Sequence, residues 1–163
     1  GRDGRGGAGL VRLARLAAET GSPVVIMHMR DTPKTMQRNP YYEDTVAEVV
    51  SELMQQVAYA TDLGVARDRI ILDPGIGFGK RLEDNLVLIK NIGELRKQGF
   101  PVLVGISRKS FIDKVLRRPV GERLAATLAA QAYAVMAGAE VVRVHDVQEA
   151  VDMVRILEAI ANA

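Results

Sequence analysis

The sequence contains no cysteine and no tryptophan, and only 4% of its 163 residues are aromatic. Without cysteine the chain can form neither disulfide bonds nor thiolate metal sites, a composition that fits a cytoplasmic protein. A hydrophobic core has to be built from aliphatic side chains instead, and the hydrophobic content is 48%. A chain of this length and composition can bury the core of one domain.

An excess of charge of one sign is also lacking, because 22 basic residues oppose 20 acidic ones and leave a net charge of +2. This balance argues against a nucleic-acid-binding protein, which needs concentrated positive charge. No apolar run approaches the roughly 18 residues of a membrane span, and no signal-peptide pattern opens the chain. We therefore expect a cytoplasmic protein that binds neither nucleic acid nor a membrane.

Hydrophobic periodicity predicts one helix followed by four strand–helix units. Residues 1–9 hold five glycines and three charges, which indicates a loop, and residues 10–163 form the predicted domain. The predicted strands are 23–28, 69–73, 101–106 and 140–145, and the helices are 10–20, 44–63, 83–98, 111–118, 120–137 and a last one from residue 147. Continuous apolar strands separated by helices are typical of a parallel α/β protein. This pattern leaves two architectures open, a doubly wound sheet or part of an eight-stranded (β/α) barrel.

Particular residues are expected to bound or bury these helices. Asp44 can cap the helix that follows it, and Asp146 and Glu149 have the spacing of a capping box for the last helix. The helix over 120–137 is expected to place one apolar face on the core: Leu124, Leu128, Ala132 and Val135.

Residues 70–80, IILDPGIGFGK, carry the most informative local pattern. A buried strand ends at Asp73, and the glycines that follow let a ligand approach the backbone closely. The simpler interpretation is that an acidic residue opens an ordinary turn, because Asp-Pro and Pro-Gly are common turn dipeptides. The glycine spacing matches neither a dinucleotide-binding motif nor a P-loop.

Polar side chains follow each of the four predicted strands. In parallel α/β folds ligands bind at the carboxyl ends of the strands, so these side chains are expected to share one site. They are His28 and Arg30, then Asp73, then Ser107, Lys109 and Ser110, and finally Arg143, His145 and Asp146.

Arg143 and His145 are two residues apart on a strand, so both can face one ligand with Val144 turned away. A guanidinium beside an imidazole suits phosphate or pyrophosphate. The alternative is structural: Arg143 would pair with a neighbouring carboxylate, and His145 would cap a helix.

The remaining strand-end residues suggest contacts with a heterocycle. Asp73 could accept two parallel N–H bonds from a 2-amino-4-oxo-pyrimidine edge. Lys109 could hold a carbonyl or a ring nitrogen, and Ser110, at the start of a helix, could receive a carboxylate. For Arg108 we favour solvent exposure or a structural salt bridge. His28 could be a hydrogen-bonded residue in the wall of the site or a ligand contact. The sequence shows neither the spacing of a metal-ligand set nor a Ser-His-Asp arrangement.

Four long segments carry a resemblance that spans almost the whole chain: MHMRDTPKTMQ at 27–37, ILDPGIGFGK at 71–80, VGISRKSFI at 104–112 and AEVVRVHDV at 139–147. They resemble, in order and spacing, the successive signatures of the dihydropteroate synthase family, whose members are pterin-binding (β/α)8 barrels of TIM type. The resemblance implies a transferase of folate biosynthesis. Such an enzyme condenses 6-hydroxymethyl-7,8-dihydropterin pyrophosphate with p-aminobenzoate and releases pyrophosphate.

The resemblance also implies a role for each matching residue. Asp73, Gly77, Lys109 and Arg143 would bind the pterin, and Arg143 with His145 would receive the pyrophosphate. Phe78, Lys109 and Ser110 would hold p-aminobenzoate. Catalysis would rest on Asp73, Lys109, Arg143 and His145, by positioning and electrostatic stabilisation of the leaving group.

The match covers only the second half of the family's barrel, its last four strand–helix units. The resemblance implies Mg²⁺, but the Asn expected to be tied to it lies outside this chain, as do other pterin-pocket residues. We expect a half-barrel that is a fragment or needs a second half, inactive alone, within a full-length homodimer. Two alternatives stay open: a corrinoid-linked methyltetrahydrofolate methyltransferase of the same superfamily, and a non-catalytic pterin-binding half-barrel.

Overall fold

The computed structural model describes residues 5–30 and 41–163. It contains seven α-helices and four β-strands within those ranges. The helices are α1 (Arg5–Thr20), α2 (Thr45–Asp62), α3 (Leu82–Lys90), α4 (Ile92–Arg96), α5 (Ser110–Leu116), α6 (Leu124–Met136) and α7 (Val147–Ala161). The strands are β1 (Val24–Met27), β2 (Ile70–Asp73), β3 (Leu103–Val104) and β4 (Val141–Val142), and short 3-10 turns cover Arg67–Arg69 and Val120–Glu122. Most of the predicted loop between β1 and α2, residues 31–40, lies outside the described residues.

All of the described strand pairs are parallel, and the strands lie side by side in the order of the chain. β1 pairs with β2 from Val24↔Ile70 to Met27↔Asp73. A single bridge joins Leu72 to Val102, just before β3, and β3 pairs with β4. The predicted α/β class with parallel strands is therefore confirmed. A doubly wound sheet reverses its strand order at a switch point, whereas a (β/α) barrel does not, so this order favours the barrel-like alternative.

The core lies between the strands and the helices that cross over them. Its fully buried members are mostly aliphatic, as the lack of aromatic residues requires, and include Leu53, Ile70, Leu72, Leu88 and Ile106. None of the described helices is long and apolar enough to cross a membrane.

Asp44 caps α2 as predicted, because its carboxylate accepts a hydrogen bond from the amide of Ala47. The helix then buries Val49, Leu53 and Val57 on one face, which is the spacing of an amphipathic helix. The first helix begins at Arg5, within the segment 1–9 that the sequence suggested to be a loop.

Two helices differ from the prediction. The single helix expected over 83–98 is two helices, because Asn91 has φ −111° and ψ 31° and its side-chain amide donates to the carbonyl of Val87. In α6 the expected apolar face is wrong: Leu124 is 38% exposed, and the helix buries Thr127, Gln131 and Ala134 instead. Thr127 on that face accepts a hydrogen bond from the amide of Arg108, in the loop after β3.

Candidate functional site

Asp73 ends β2 and is fully buried. One of its oxygens, Oδ1, accepts a hydrogen bond of 2.7 Å from the amide of Gly75. The other, Oδ2, accepts no hydrogen bond from any described residue, although Nη2 of Arg143 lies 3.3 Å away as an ion pair. A buried carboxylate oxygen without a hydrogen bond is unusual, because such groups are nearly always satisfied. Oδ2 of Asp73 can therefore accept hydrogen bonds from N–H donors of a ligand.

Burial raises the pKa of Asp73 above its usual value. The hydrogen bond from Gly75 and the positive charges of Arg143, Lys109 and Lys80 oppose this shift without overcoming it. The charged carboxylate is thus under-stabilised in the free protein. Hydrogen-bond donors from a ligand would relieve that cost.

A cavity of about 350 Å³ opens at the carboxyl ends of the strands. Lys109, Arg143 and His145 line it, together with Phe78, and each was predicted for the site. The other lining residues are Met27, Gly105, Ser107 and Val144. Ser110, predicted to bind a carboxylate, begins α5 and is exposed outside this lining. The structure therefore brings Phe78, Lys109, Arg143 and His145 together around the cavity. Asp73, Gly77 and Ser110 are not part of its lining, although Asp73 lies directly behind Arg143 as its ion-pair partner.

Lys109 reaches across to the glycine loop, which we define as residues 75–79. Its Nζ lies 4.1 Å from the centre of the Phe78 ring, within cation–π range. Gly77 has φ +82°, and a Cβ there would lie 3.2 Å from Cδ of Lys109, so glycine permits this close approach. Burial, with the nearby charge of Arg143, lowers the pKa of Lys109, and Asp73 opposes the shift.

The loops after β3 and β4 are joined by two side-chain contacts. Nδ1 of His145 lies 2.8 Å from Oγ of Ser107, so His145 does not cap a helix. The guanidinium of Arg108, at φ +57°, bonds the carboxylate of Asp146 at 2.5 Å. The structural salt bridge favoured for Arg108 is confirmed.

The same salt bridge explains one wrong prediction. Asp146 is the N-cap residue of α7, but its side chain makes no capping hydrogen bond, because Arg108 engages the carboxylate. The expected capping box with Glu149 is therefore absent.

Val144 was expected to turn away from the site, but it is among the residues that line the cavity. The strand β4 ends at Val142, so the strict alternation of a strand does not extend to Val144.

Arg143 fits both roles that the sequence left open, a structural ion pair and a contact with a ligand. It pairs with the carboxylate of Asp73, yet its side chain is still 52% exposed and lines the cavity. A residue with this exposure can turn toward an anionic ligand, because its existing ion pair lacks hydrogen-bond geometry.

His28 proves to be a hydrogen-bonded wall residue. Its Nε2 lies 2.9 Å from Oε2 of Glu52, and its Nδ1 lies 3.0 Å from Nζ of Lys80. Burial, together with the charge of Lys80, lowers its pKa to about 4. Arg30 is engaged by Glu52 and Glu48, so neither residue is directed at the cavity.

Lys80 is the residue that sequence reasoning missed. It is only 2% exposed, and its Nζ also donates to the carbonyl of Phe78 at 3.0 Å. Burial lowers its pKa to about 7, although Asp73 and Asp84 act in the opposite direction. A lysine at the end of a glycine-rich loop is typically solvent-exposed, and no spacing in the sequence marks this one as buried.

The low pKa of Lys80 predicts how stability depends on pH. Between about pH 7 and 10.5 the unfolded chain binds a proton at this lysine that the folded chain has released. The unfolding free energy of the wild type should thus rise with pH relative to Lys80→Met, by about 1.4 kcal/mol per pH unit. Urea unfolding of both proteins from pH 6 to pH 10 measures the difference. A constant difference across that range would contradict the lowered pKa of Lys80.

The residues around Asp73 do not fit a magnesium ion. Asp73 is accompanied by the positive charges of Lys80, Lys109 and Arg143. Among the residues that the structure describes, no group of three or more His, Asp or Glu side chains could hold a metal ion together. We therefore infer no role in binding Mg²⁺ for the residues around Asp73.

Comparison with known proteins shows the family of the chain. The family model of the pterin binding enzyme matches residues 3–145. Dihydropteroate synthase of Escherichia coli K12 is 46% identical over 147 residues, which cover 90% of this chain but 52% of that protein. The chain thus spans about half the length of this curated relative.

Solved structures give the same correspondence. The Yersinia pestis dihydropteroate synthase, solved with a sulfonamide drug, superimposes with a TM-score of 0.88 at 39% identity, covering 92% of this chain and 55% of that one. The Thermus thermophilus enzyme, solved in complex with 6HMPPP and with 4-aminobenzoate, is 41% identical with a TM-score of 0.85. Those matches cover 91% of this chain and 59% and 60% of the Thermus chains. From its matched residues and the carboxylate and cations at its strand ends, we conclude that the chain belongs to the pterin binding enzyme family.

Proposed function

We propose that this chain supplies the substrate-binding strand ends of a dihydropteroate synthase. The observation that carries the proposal is Oδ2 of Asp73, a buried carboxylate oxygen without a hydrogen bond from the described residues, 3.3 Å from Arg143. A pterin presents two adjacent N–H donors on its pyrimidine edge, and such an edge would supply the missing hydrogen bonds. The names of the Escherichia coli and Thermus thermophilus relatives support this substrate class.

In this proposal the pterin occupies the cavity with its pyrimidine edge on Asp73 and its ring near Lys109. Arg143 turns from Asp73 toward the pyrophosphate, where His145 adds a second donor. The carbon–oxygen bond to pyrophosphate breaks, the electron pair leaves with the pyrophosphate, and these cations stabilise the charge.

The second substrate, p-aminobenzoate, then lies against the Phe78 ring, with Lys109 and the exposed Ser110 near its carboxylate. Its amine nitrogen forms the new bond to the pterin methylene and loses a proton. No covalent enzyme intermediate is required, so positioning carries most of the catalysis.

We further propose that the four strands are one half of a TIM-type barrel. The strand order without reversal supports this, and so do the exposed apolar side chains of Val25 on β1 and Val141 on β4. β1 and β4 are also the outer strands of the described order, and open sheet edges associate readily with further strands. Mg²⁺ dependence, a homodimer and a cytoplasmic location stay predictions.

The proposed function is tested with a chimera, in which the part of the Escherichia coli synthase that precedes its matched region is joined in front of Gly1. Incubation with the pterin pyrophosphate and p-aminobenzoate should yield dihydropteroate, and the 163-residue chain alone should yield none. A folded chimera that binds the pterin without turnover would support the non-catalytic alternative. Methyl transfer from methyltetrahydrofolate to a corrinoid would support the methyltransferase.

Gly105 offers a separate test of the role of Arg143. A Cβ at this position would lie 2.6 Å from Nη2 of Arg143, while the glycine itself has no positive φ. Because the end of a long side chain can move, Gly105→Ala should cost less than about 1 kcal/mol of stability. It should displace Arg143 and raise the KM of the chimera for the pterin pyrophosphate about tenfold.

The matched control is Gly121→Ala, where a Cβ meets nothing within 4 Å. Steady-state kinetics and urea unfolding of both variants provide the measurement. An unchanged KM in Gly105→Ala would show that the present position of Arg143 is unimportant for binding.

A further inference from the structure

Lys80 lies beneath the glycine loop and contacts it from the protein side. Its Nζ donates to the carbonyl of Phe78 and lies 3.0 Å from Nδ1 of His28 at the end of β1. Its side chain is almost completely buried, so solvent provides none of these interactions. Nothing in the proposed chemistry above uses this lysine.

The direction of the hydrogen bonds can be worked out from the partners. Glu52 has its pKa held below the usual value by Arg30 and His28, although burial alone would raise it, so it is a carboxylate that can only accept. Nε2 of His28 must then carry the proton, and its Nδ1 must accept from Lys80. These donor and acceptor roles fix the orientation of the Lys80 amino group, which donates to the His28 ring and to the Phe78 carbonyl.

The glycine loop is held from below at two consecutive carbonyl positions. Lys80 binds the carbonyl of Phe78, and the buried hydroxyl of Tyr42 donates to the carbonyl of Gly79 at 3.0 Å. With its backbone fixed in this way, Phe78 presents its ring to the cavity, where Lys109 lies over it. The position of the ring therefore depends on the ammonium beneath it.

A purely structural explanation does not account for the choice of lysine. A buried charge contributes little to stability, because its desolvation offsets the contacts that it makes, and apolar residues of similar volume often serve as well. Several charged groups face Lys80 from the surrounding elements, and all act on its protonation: His28 and Arg30 beyond β1, Glu52 of α2, Asp73 of β2 and Asp84 of α3. Burying the Lys80 side chain lowers the stability of the fold. Its hydrogen bond to the Phe78 carbonyl indicates that the lysine supports the position of Phe78.

We propose that Lys80 is a positioning residue for the second substrate: by bridging the Phe78 carbonyl and the His28 ring, it sets the aromatic wall on which p-aminobenzoate binds. The inference rests on the proposed function. Lys80 touches neither substrate, and it acts only through the backbone of Phe78.

The first experiment uses Lys80→Met and Lys80→Gln in the chimera, with Lys97→Met as the matched control. Lys97 is exposed and pairs only with Glu94 among the residues described. Lys80→Met should raise the KM for p-aminobenzoate about tenfold while the KM for the pterin pyrophosphate changes by less than about twofold. Lys80→Gln keeps an N–H donor and should recover most of the loss, whereas Lys97→Met should match the wild type.

The outcomes separate the two proposals. If the wild-type chimera forms no dihydropteroate, the proposed function fails, and the second experiment still tests whether Lys80 sets the position of the Phe78 ring. If the chimera is active but Lys80→Met lowers kcat alone, or changes both KM values equally, the lysine supports the fold generally and the inference is overturned.

The second experiment needs neither turnover nor a variant that folds. In the wild-type 163-residue chain, ¹³C-labelled phenylalanine and lysine are followed by NMR as the pH is changed. The Phe78 ring signal should show a movement with the midpoint of Lys80 Cε, separate from any movement that follows Cε of Lys109 above the ring, while the buried rings of Phe100 and Phe111 should not. A Phe78 signal that does not follow Lys80 would overturn the inference.

Discussion

Replacing Asp73 by Asn should abolish pterin binding and leave the protein at least as stable as before. The carboxylate is expected to accept two N–H bonds from the pterin, and hydrogen bonds to a charged group contribute about 1.5–3 kcal/mol each. Asn would present an NH₂ group in place of one acceptor, so the affinity of the chimera for the pterin pyrophosphate should fall at least about 100-fold. Calorimetric titration measures this loss.

Stability should change in the opposite direction because burial raises the pKa of Asp73. A raised carboxyl pKa means that the charged form is disfavoured in the folded state, so at neutral pH ionised Asp73 lowers the unfolding free energy. Asp73→Asn removes that charge, and we expect a gain of about 1 kcal/mol in urea unfolding. The control is Asp152→Asn, an exposed position on α7, which should change neither quantity. A variant that binds the pterin normally would remove Asp73 from the site.

Gly75→Ala should have the largest effect on stability of any single substitution considered. Gly75 has φ +68°, and a Cβ there would lie 1.9 Å from the backbone carbonyl oxygen of His28. That carbonyl cannot move freely, because the amide of the same residue bonds the carbonyl of Asp73 at 2.9 Å. Strain and clash together should cost about 3–5 kcal/mol of unfolding free energy.

Two other glycines separate the contributions to this loss. Gly21 has φ +65° with nothing within 4 Å of a Cβ, so Gly21→Ala should show backbone strain alone, about 1 kcal/mol. Gly121 has neither strain nor a clash, so Gly121→Ala should be neutral or slightly stabilising. Urea unfolding of the three variants gives the comparison. Equal losses at Gly21 and Gly75 would show that the contact with His28 can relax.

The elements that the sequence predicted well are those whose signal is local. The Asp44 cap and the apolar spacing of α2 involve residues within a few positions of one another, and both are present in the structure. Strand ends are similarly local, so Asp73, Lys109, Arg143 and His145 could be assigned to one edge before their distances were known. Their convergence follows from the parallel topology rather than from any one motif.

Two of the failures have the opposite character, because each depends on a residue far away in the chain. The Asp146 carboxylate has a capping position, but Arg108, 38 residues earlier, competes for it. Lys80 is buried because His28, 52 residues earlier, accepts its hydrogen bond. Local propensity cannot rank such contacts, since a distant charged donor can outweigh a nearby amide.

The paired contacts between the loops after β3 and β4 have a consequence for how the cavity can change shape. Ser107 with His145 and Arg108 with Asp146 connect the two loops at adjacent positions, so neither loop can shift without carrying the other. The two loops on this side of the cavity therefore move as one unit. The facing side is held as well, because Lys80 and Tyr42 fix the glycine loop at two consecutive carbonyls, so a ligand is accommodated by turning side chains such as Arg143 rather than by moving either set of loops.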